Sequence, residues 1–235
     1  MKLDILHTLN AERDARRAVV VVTNVESGTQ RIVKAADVGR DPLADVLEKH
    51  LRMAKSGMEE TAEGRVFLTV HVPSPRLVIT GAVHISQALA PMAALAGHDV
   101  TIVDPRTAFA SPERFPDVKV IAEWPDVALP PLNIDRYTAF VALTHDPKID
   151  DPALLHALKR DCFYIGALGS KKTHAKRVAR LKEAGLSDAD IARIHAPIGL
   201  SIGAISPPEI AVSIMAEITA SLRMKRETAA ASEAA

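Results

Sequence analysis

Cysteine is all but missing from this chain. Cys162 is the only one in 235 residues, which rules out an intramolecular disulfide and a cysteine-rich metal site. Aromatic side chains make up 3%, too few for the stacking platforms of a single-strand binder. Neither sign of charge dominates: Lys+Arg and Asp+Glu number 29 each, for a formal net charge of zero. With no basic cluster, sequence-independent nucleic-acid binding is disfavoured. No apolar run approaches the ~20 residues of a membrane span. Residues 1–17 alternate charged and apolar positions and have no signal-peptide core. These absences predict a cytoplasmic protein with no nucleic-acid or membrane partner. The nine histidines show no HExxH or other ligand spacing, so no metal site is expected.

What is present suits a globular fold, with 48% hydrophobic and 25% charged residues near the usual averages. Residues 3–16 place Leu3, Leu6 and Leu9 on one helical stripe. Ala18–Thr23 reads as a strand, Glu26–Thr29 as a turn and Gln30–Val33 as a hairpin partner. A helix is expected from Pro42, burying Leu43, Val46, Leu47, Leu51 and Ala54, with Gly57 as its C-cap. Arg65–Val72 alternates as a half-buried strand. Residues 1–72 thus predict a small α+β domain, separated by Pro73-Ser74-Pro75 from a second domain over 73–224. The Ala/Glu/Ser stretch 225–235 is expected to be a disordered tail.

The second domain alternates strand and helix. Strands are expected at 76–80, 100–104, 118–122, 137–143 and 163–165, with helices at 84–96, 151–160 and 171–184. This order predicts an α/β, doubly wound parallel Rossmann-like sheet with right-handed crossovers. Ser187–Asp190 caps a short helix ending near His195, 197–204 is irregular, and Ser206-Pro207-Pro208-Glu209 opens a helix over 207–222 with a capping box.

The centre of this half is Leu77-Val78-Ile79-Thr80-Gly81, where strand period gives way to helical period across one glycine. About twenty residues on, a strand ends at Asp104, where dinucleotide-binding folds place a ribose-binding acid. The G-x-G-x-x-G positions, however, read Gly81, Val83 and Ser86. A β-branched Val83 stands where a pyrophosphate would approach the backbone, so ordinary NAD(P) binding is disfavoured.

In an open parallel sheet, ligands bind beyond the carboxyl ends of the strands. The residues delivered there are Gly81, Ala82 and His84; Asp104 and Arg106; Thr144, His145 and Asp146; and Gly166, Gly169, Ser170 and Lys171. All are candidate cofactor-binding residues, and none is assigned a catalytic or metal-binding role. Gly166–Thr173 has the glycine, hydroxyl and lysine content of an anion-binding helix N-terminus, or of a plain strand-to-helix turn with solvated lysines. Asp104 and Arg106 serve either a ribose and a phosphate or an internal salt bridge. His145-Asp146 is either an oriented pair or part of a capped turn. Cys162 reads as a packed thiol.

These residues together resemble the xanthine dehydrogenase accessory protein family (XdhC/CoxI) over about residues 73–222. The likeness rests on Gly81-Ala82-Val83-His84-Ile85, Val103-Asp104-Pro105-Arg106, Arg114-Phe115-Pro116, Thr144-His145-Asp146, Tyr164–Ser170, His195–Leu200, Ile202-Gly203-Ala204 and Pro208-Glu209-Ile210-Ala211. Val83 departs from the second glycine carried by many members. The resemblance implies a C-terminal Rossmann domain that binds molybdenum cofactor and assists its sulfuration with a cysteine desulfurase. It also implies hand-over to a xanthine dehydrogenase-type molybdoenzyme. A homodimer is expected, with 199–204 and 207–222 as candidate subunit or partner contacts. Two other readings stay open: an NAD(P)-binding oxidoreductase of unknown substrate, and a Rossmann binding module with no cofactor.

Overall fold

The computed structural model describes residues 2–224; the tail expected at 225–235 lies outside them. The chain divides into two compact units, Met1–Pro73 and Ser74–Ala235.

The first unit is built on an antiparallel sheet in the order β2-β1-β4-β3, from β1 (Val19–Asn24), β2 (Gln30–Lys34), β3 (Gly57–Thr61) and β4 (Gly64–His71). Period-2 alternation sends Val20 and Val22 into a cluster with Val33, Val66, Leu68 and Leu47. Leu47 comes from α2 (Ala44–Met53), while α1 (Leu3–Asp14) buries Ile5 and Leu9. Of the stripe expected on α1 only Leu9 is buried, Leu3 and Leu6 being exposed, and two further local expectations change. Ala54, at φ 51°, ends α2 in the left-handed region, and Gly57 instead begins β3. The helix starts at Ala44 because Asp41 turns its carboxylate onto the Leu43 amide at 2.9 Å, making 41–43 a turn.

The second unit is a six-stranded, wholly parallel sheet in the order β10-β9-β8-β5-β6-β7. Its strands are β5 (Arg76–Thr80), β6 (Asp99–Val103), β7 (Lys119–Ile121), β8 (Thr138–Ala142), β9 (Tyr164–Ala167) and β10 (Ile194–His195). The helices are α3 (His84–Leu95), α4 (Pro125–Ala128), α5 (Pro147–Leu158), α6 (Lys171–Glu183), α7 (Asp188–Ile191) and α8 (Pro207–Arg223). Leu77 and Ile79 face a core shared with Leu89 of α3 and Ile214 and Ile218 of α8. Val78 and Phe140 face the opposite core, with Leu154 of α5 and Leu181 of α6. Burial on both sides explains why the strands read as continuous apolar runs. Each fully buried Leu or Ile side chain stabilises this sandwich by about 2 kcal/mol. The family-like Rossmann sheet expected from the sequence is what the chain forms.

Differences lie at the margins. The fifth helix begins at Pro147, four residues before the expected start, because Asp146 caps it through the Lys148 amide. Pro152 lies inside it. The short helix after Ser187 ends at Ile191, and Ile194-His195 pairs with β9 as a sixth strand. Among the described residues no helix is long and apolar enough to cross a membrane.

Candidate functional site

Strand β5 has β6 on one side and β8 on the other, so the connections leaving β5 and β8 diverge and a crevice opens between their carboxyl ends. Gly81 and Thr144 meet there. Gly81 has φ +110°, and a Cβ placed on it would lie 2.8 Å from Thr144 Cγ2 and 3.3 Å from the Leu143 carbonyl carbon. Only glycine fits that approach and that backbone conformation. Ser86, buried on the first turn of α3, donates its hydroxyl to the Gly81 carbonyl at 2.5 Å, which tightens the turn.

Asp104 is 0% exposed and turned inward. Its Oδ2 accepts from the Ala82 amide at 2.7 Å and from Arg106 Nη2 at 2.7 Å; Oδ1 accepts from the Arg106 amide and Nε at 2.9 Å each. Burial alone would raise its pKa. The Arg106 guanidinium and the two amides outweigh that and hold it below the ordinary aspartate value. Arg106 also lies 4.6 Å over the Phe109 ring. On the other side of the turn, Arg114 donates to the Ala82 carbonyl at 2.9 Å and to Gln87 at 3.0 Å. Of the two readings of Asp104, the internal salt bridge is therefore the one present. With four bonds accepted, its carboxylate has no free acceptor to offer a ribose.

After β8, Asp146 uses its carboxylate to cap α5 rather than to orient His145. His145 adopts φ 65° with its side chain exposed. The turn is pinned from below by Asp150, which is 1% exposed. Asp150 accepts from Thr144 Oγ1 at 2.6 Å, the Thr144 amide at 3.3 Å and the His145 amide at 3.0 Å. Burial pushes the Asp150 carboxyl above its ordinary pKa, against those bonds and the charge of Arg177. Arg177 itself lies 3.9 Å from Asp150 and donates to the Leu168 carbonyl at 2.8 Å, joining the β8 and β9 turns.

Beyond β9, Gly169 turns at φ +135° and Ser170 caps α6, accepting from the Thr173 amide at 3.2 Å, while Lys171 is exposed. Gly166 lies inside β9, where a Cβ would come within 2.5 Å of Ile198 and 2.8 Å of the Tyr164 hydroxyl. Its glycine serves packing, not ligand access. His84 is exposed at the start of α3.

All four turns thus leave one sheet edge. Gly81, Ala82, Asp104, Arg106 and Thr144 form a contiguous group, while His84, His145, Ser170 and Lys171 are exposed on the turns along the rim of the same edge. The cofactor-binding role expected of Asp104 needs correcting: it faces the protein interior and lines no hollow with His84, His145 and Ser170. His145 instead borders a cavity of about 260 Å³ beside Pro147, between α5 and α6. Two contributors escaped sequence reasoning, Asp150 and Arg177; Arg114 stood in the family likeness but was given no site role. The available signal was charge on an otherwise apolar helical stripe, Asp150 between Ile149 and Ala153 and Arg177 four residues before Leu181.

Cys162 is buried, and desolvation pushes its thiol up to about 12. It carries almost no thiolate at neutral pH. The folded protein should resist iodoacetamide near neutral pH and react within minutes in denaturant, as mass spectrometry would show; equal labelling in both states would contradict the buried-thiol assignment.

The site is therefore that of a doubly wound nucleotide-fold domain whose first turn is closed by an internal acid and whose rim carries imidazole, hydroxyl and lysine groups. Its family follows from comparison: residues 77–218 match the XdhC Rossmann domain model, and the chain belongs to that family. It is 36% identical over 176 residues to the uncharacterized protein YqeB of Escherichia coli K12, covering 72% of this chain and 32% of that protein. It is 35% identical over 155 residues to the molybdenum cofactor insertion chaperone PaoD of the same organism, covering 66% and 42%. A probable component of xanthine dehydrogenase from Bacillus subtilis 168 is 31% identical over 178 residues, covering 75% and 51%. The chain spans about a third to a half of the length of these curated relatives. The crystal structure of a xanthine dehydrogenase from Bacillus halodurans superposes with a TM-score of 0.65 at 24% identity, covering 97% of this chain and 67% of that one; that likeness concerns the fold.

Proposed function

We propose that the chain is a maturation chaperone that binds molybdenum cofactor and passes it to a xanthine dehydrogenase-type enzyme. The observation that carries this reading is the stretch shared with the insertion chaperone PaoD, which includes much of the Rossmann half. The donor set on the sheet edge suits the ligand. Molybdopterin joins a phosphate to a flat polar pterin, and the rim offers the amides at the start of α6 with Lys171 for the former. His84, Thr144 and His145 serve the latter. When bound, the cofactor supplies the molybdenum centre that the client enzyme uses. The chain's own residues position it. In this reading sulfuration depends on an external cysteine desulfurase, because Cys162, the one thiol of the chain, is buried and burial pushes its pKa up, which disfavours it as a sulfur carrier. A homodimer with contacts along α8 completes the proposal, motivated by exposed Ile202, Ile205 and Val212.

The NAD(P) alternative is disfavoured by the same turn that organises the site, since the Ala82 amide and Asp104 are bonded to each other. The expected result is co-elution of molybdopterin with the protein in anaerobic gel filtration, detected by pterin fluorescence after oxidation. NADH should show no saturable binding up to about 1 mM. Tight NADH binding with no retained pterin would overturn the proposal.

A further inference from the structure

The cavity of about 260 Å³ beside His145 is walled on one side by a single face of α6, where Lys172, Lys176, Arg177 and Arg180 follow at helical spacing, and on the other by Asp150. It is smaller than the ~300–1,000 Å³ of sites for drug-sized ligands, which restricts its occupant to a small group. Its charge is unbalanced. Arg180 is neutralised by a two-point pair with Asp151, and Arg177 faces Asp150 at 3.9 Å. Lys172 and Lys176 are exposed and have no carboxylate within ion-pair distance among the described residues.

Arg177 supplies the independent observation. It is 2% exposed, yet only Nη2 is hydrogen-bonded, to Leu168; Nε and Nη1 are buried with no partner. Leaving donors of a buried guanidinium unpaired is costly, and native structures rarely do so without a ligand, ion or function to explain it. Guanidinium and ammonium groups at one small cavity suit a compact, doubly charged oxyanion.

We propose that this cavity is an oxyanion site that takes a phosphate dianion, free or as the terminal group of a small monoester, with Arg177 in its wall and Lys172 and Lys176 at its mouth. The site is distinct from the β5 turn; it shares His145 and the start of α6 with the rim assigned above to the cofactor, but it is argued from Arg177 and the two lysines and not from that reading.

Calorimetric titration of the full chain with inorganic phosphate near neutral pH, at constant ionic strength with chloride, tests it. One saturating phosphate per chain is expected. The double variant Lys172→Gln/Lys176→Gln should weaken binding about tenfold or more with an unchanged melting temperature, because both side chains are exposed. Arg177→Gln should abolish binding; if that variant fails to fold, the lysine pair still decides. A parallel titration with glycerol 3-phosphate identifies the source: tighter binding of the ester assigns a carried phosphate, tighter binding of the inorganic ion a free one. No saturation up to about 10 mM, or equal affinity in the double lysine variant, would overturn the proposal. Because no pterin is used, that failure leaves the chaperone reading standing.

Discussion

Replacing Asp150 with alanine should lower stability by about 3 kcal/mol, the lower end of the cost of breaking a buried ion pair, and so lower the melting temperature of the second unit by roughly 6–12 °C. Asp150 accepts from the Thr144 hydroxyl and the amides of Thr144 and His145, and it offers the carboxylate charge facing Arg177. Alanine leaves those donors without an acceptor and a buried guanidinium without its counter-charge. The companion variant Asp150→Ala/Arg177→Met should recover part of the loss, since removing both charges costs less than stranding one. There is also a pH signature. Burial holds the Asp150 carboxyl above its ordinary pKa, so the native state keeps this proton longer than the unfolded chain does. Its contribution makes stability fall as pH rises from the unfolded aspartate value of about 3.9 through the raised native one, and that slope should disappear in Asp150→Ala. Calorimetry across this range checks both points. A melting temperature unchanged by Asp150→Ala would mean the turn is held by something else.

Gly81→Ala should cost about 2–4 kcal/mol, combining a strained backbone conformation with a steric clash. The glycine stands at φ +110°, and the added methyl would meet Thr144 Cγ2 at 2.8 Å and backbone at 3.3 Å. The two causes separate in a cycle. Thr144→Ser deletes the offending Cγ2 yet keeps the hydroxyl bonded to Asp150, so it should relieve the clash in the Gly81→Ala background and leave the backbone strain. Urea denaturation midpoints provide the readout. Full recovery in the double variant would show that the left-handed conformation costs nothing; no recovery would place the clash elsewhere.

The sheet was legible because its signals are local and repeated. Val78 and Ile79 lie in an unbroken apolar run, and the period changes at Gly81, where the strand gives way to α3. Ser206 and Glu209 announce α8, and Glu209 does accept from the Ser206 and Ile205 amides. What escaped notice is fixed by partners distant in sequence. Met58-Glu59-Glu60 has no strand-like apolar run and becomes β3 only by pairing with β4. Ile194-His195 is a strand solely because Ile165 and Gly166 lie beside it. At the site, residue types and their arrival at one edge could be read in order along the chain, but side-chain direction could not. Asp104 was recognisable as an acid at a strand end. Its inward turn depends on Arg106 and the Ala82 amide, twenty-two positions away in the second case.

That inward turn has a kinetic corollary. The Ala82 N–H already has a tethered rival acceptor, whose effective concentration is on the order of millimolar or higher, so a visiting anion must displace it rather than fill a vacancy. The short 104–106 segment thus closes the first turn to an outside acceptor by the same bonds that hold the turn in shape.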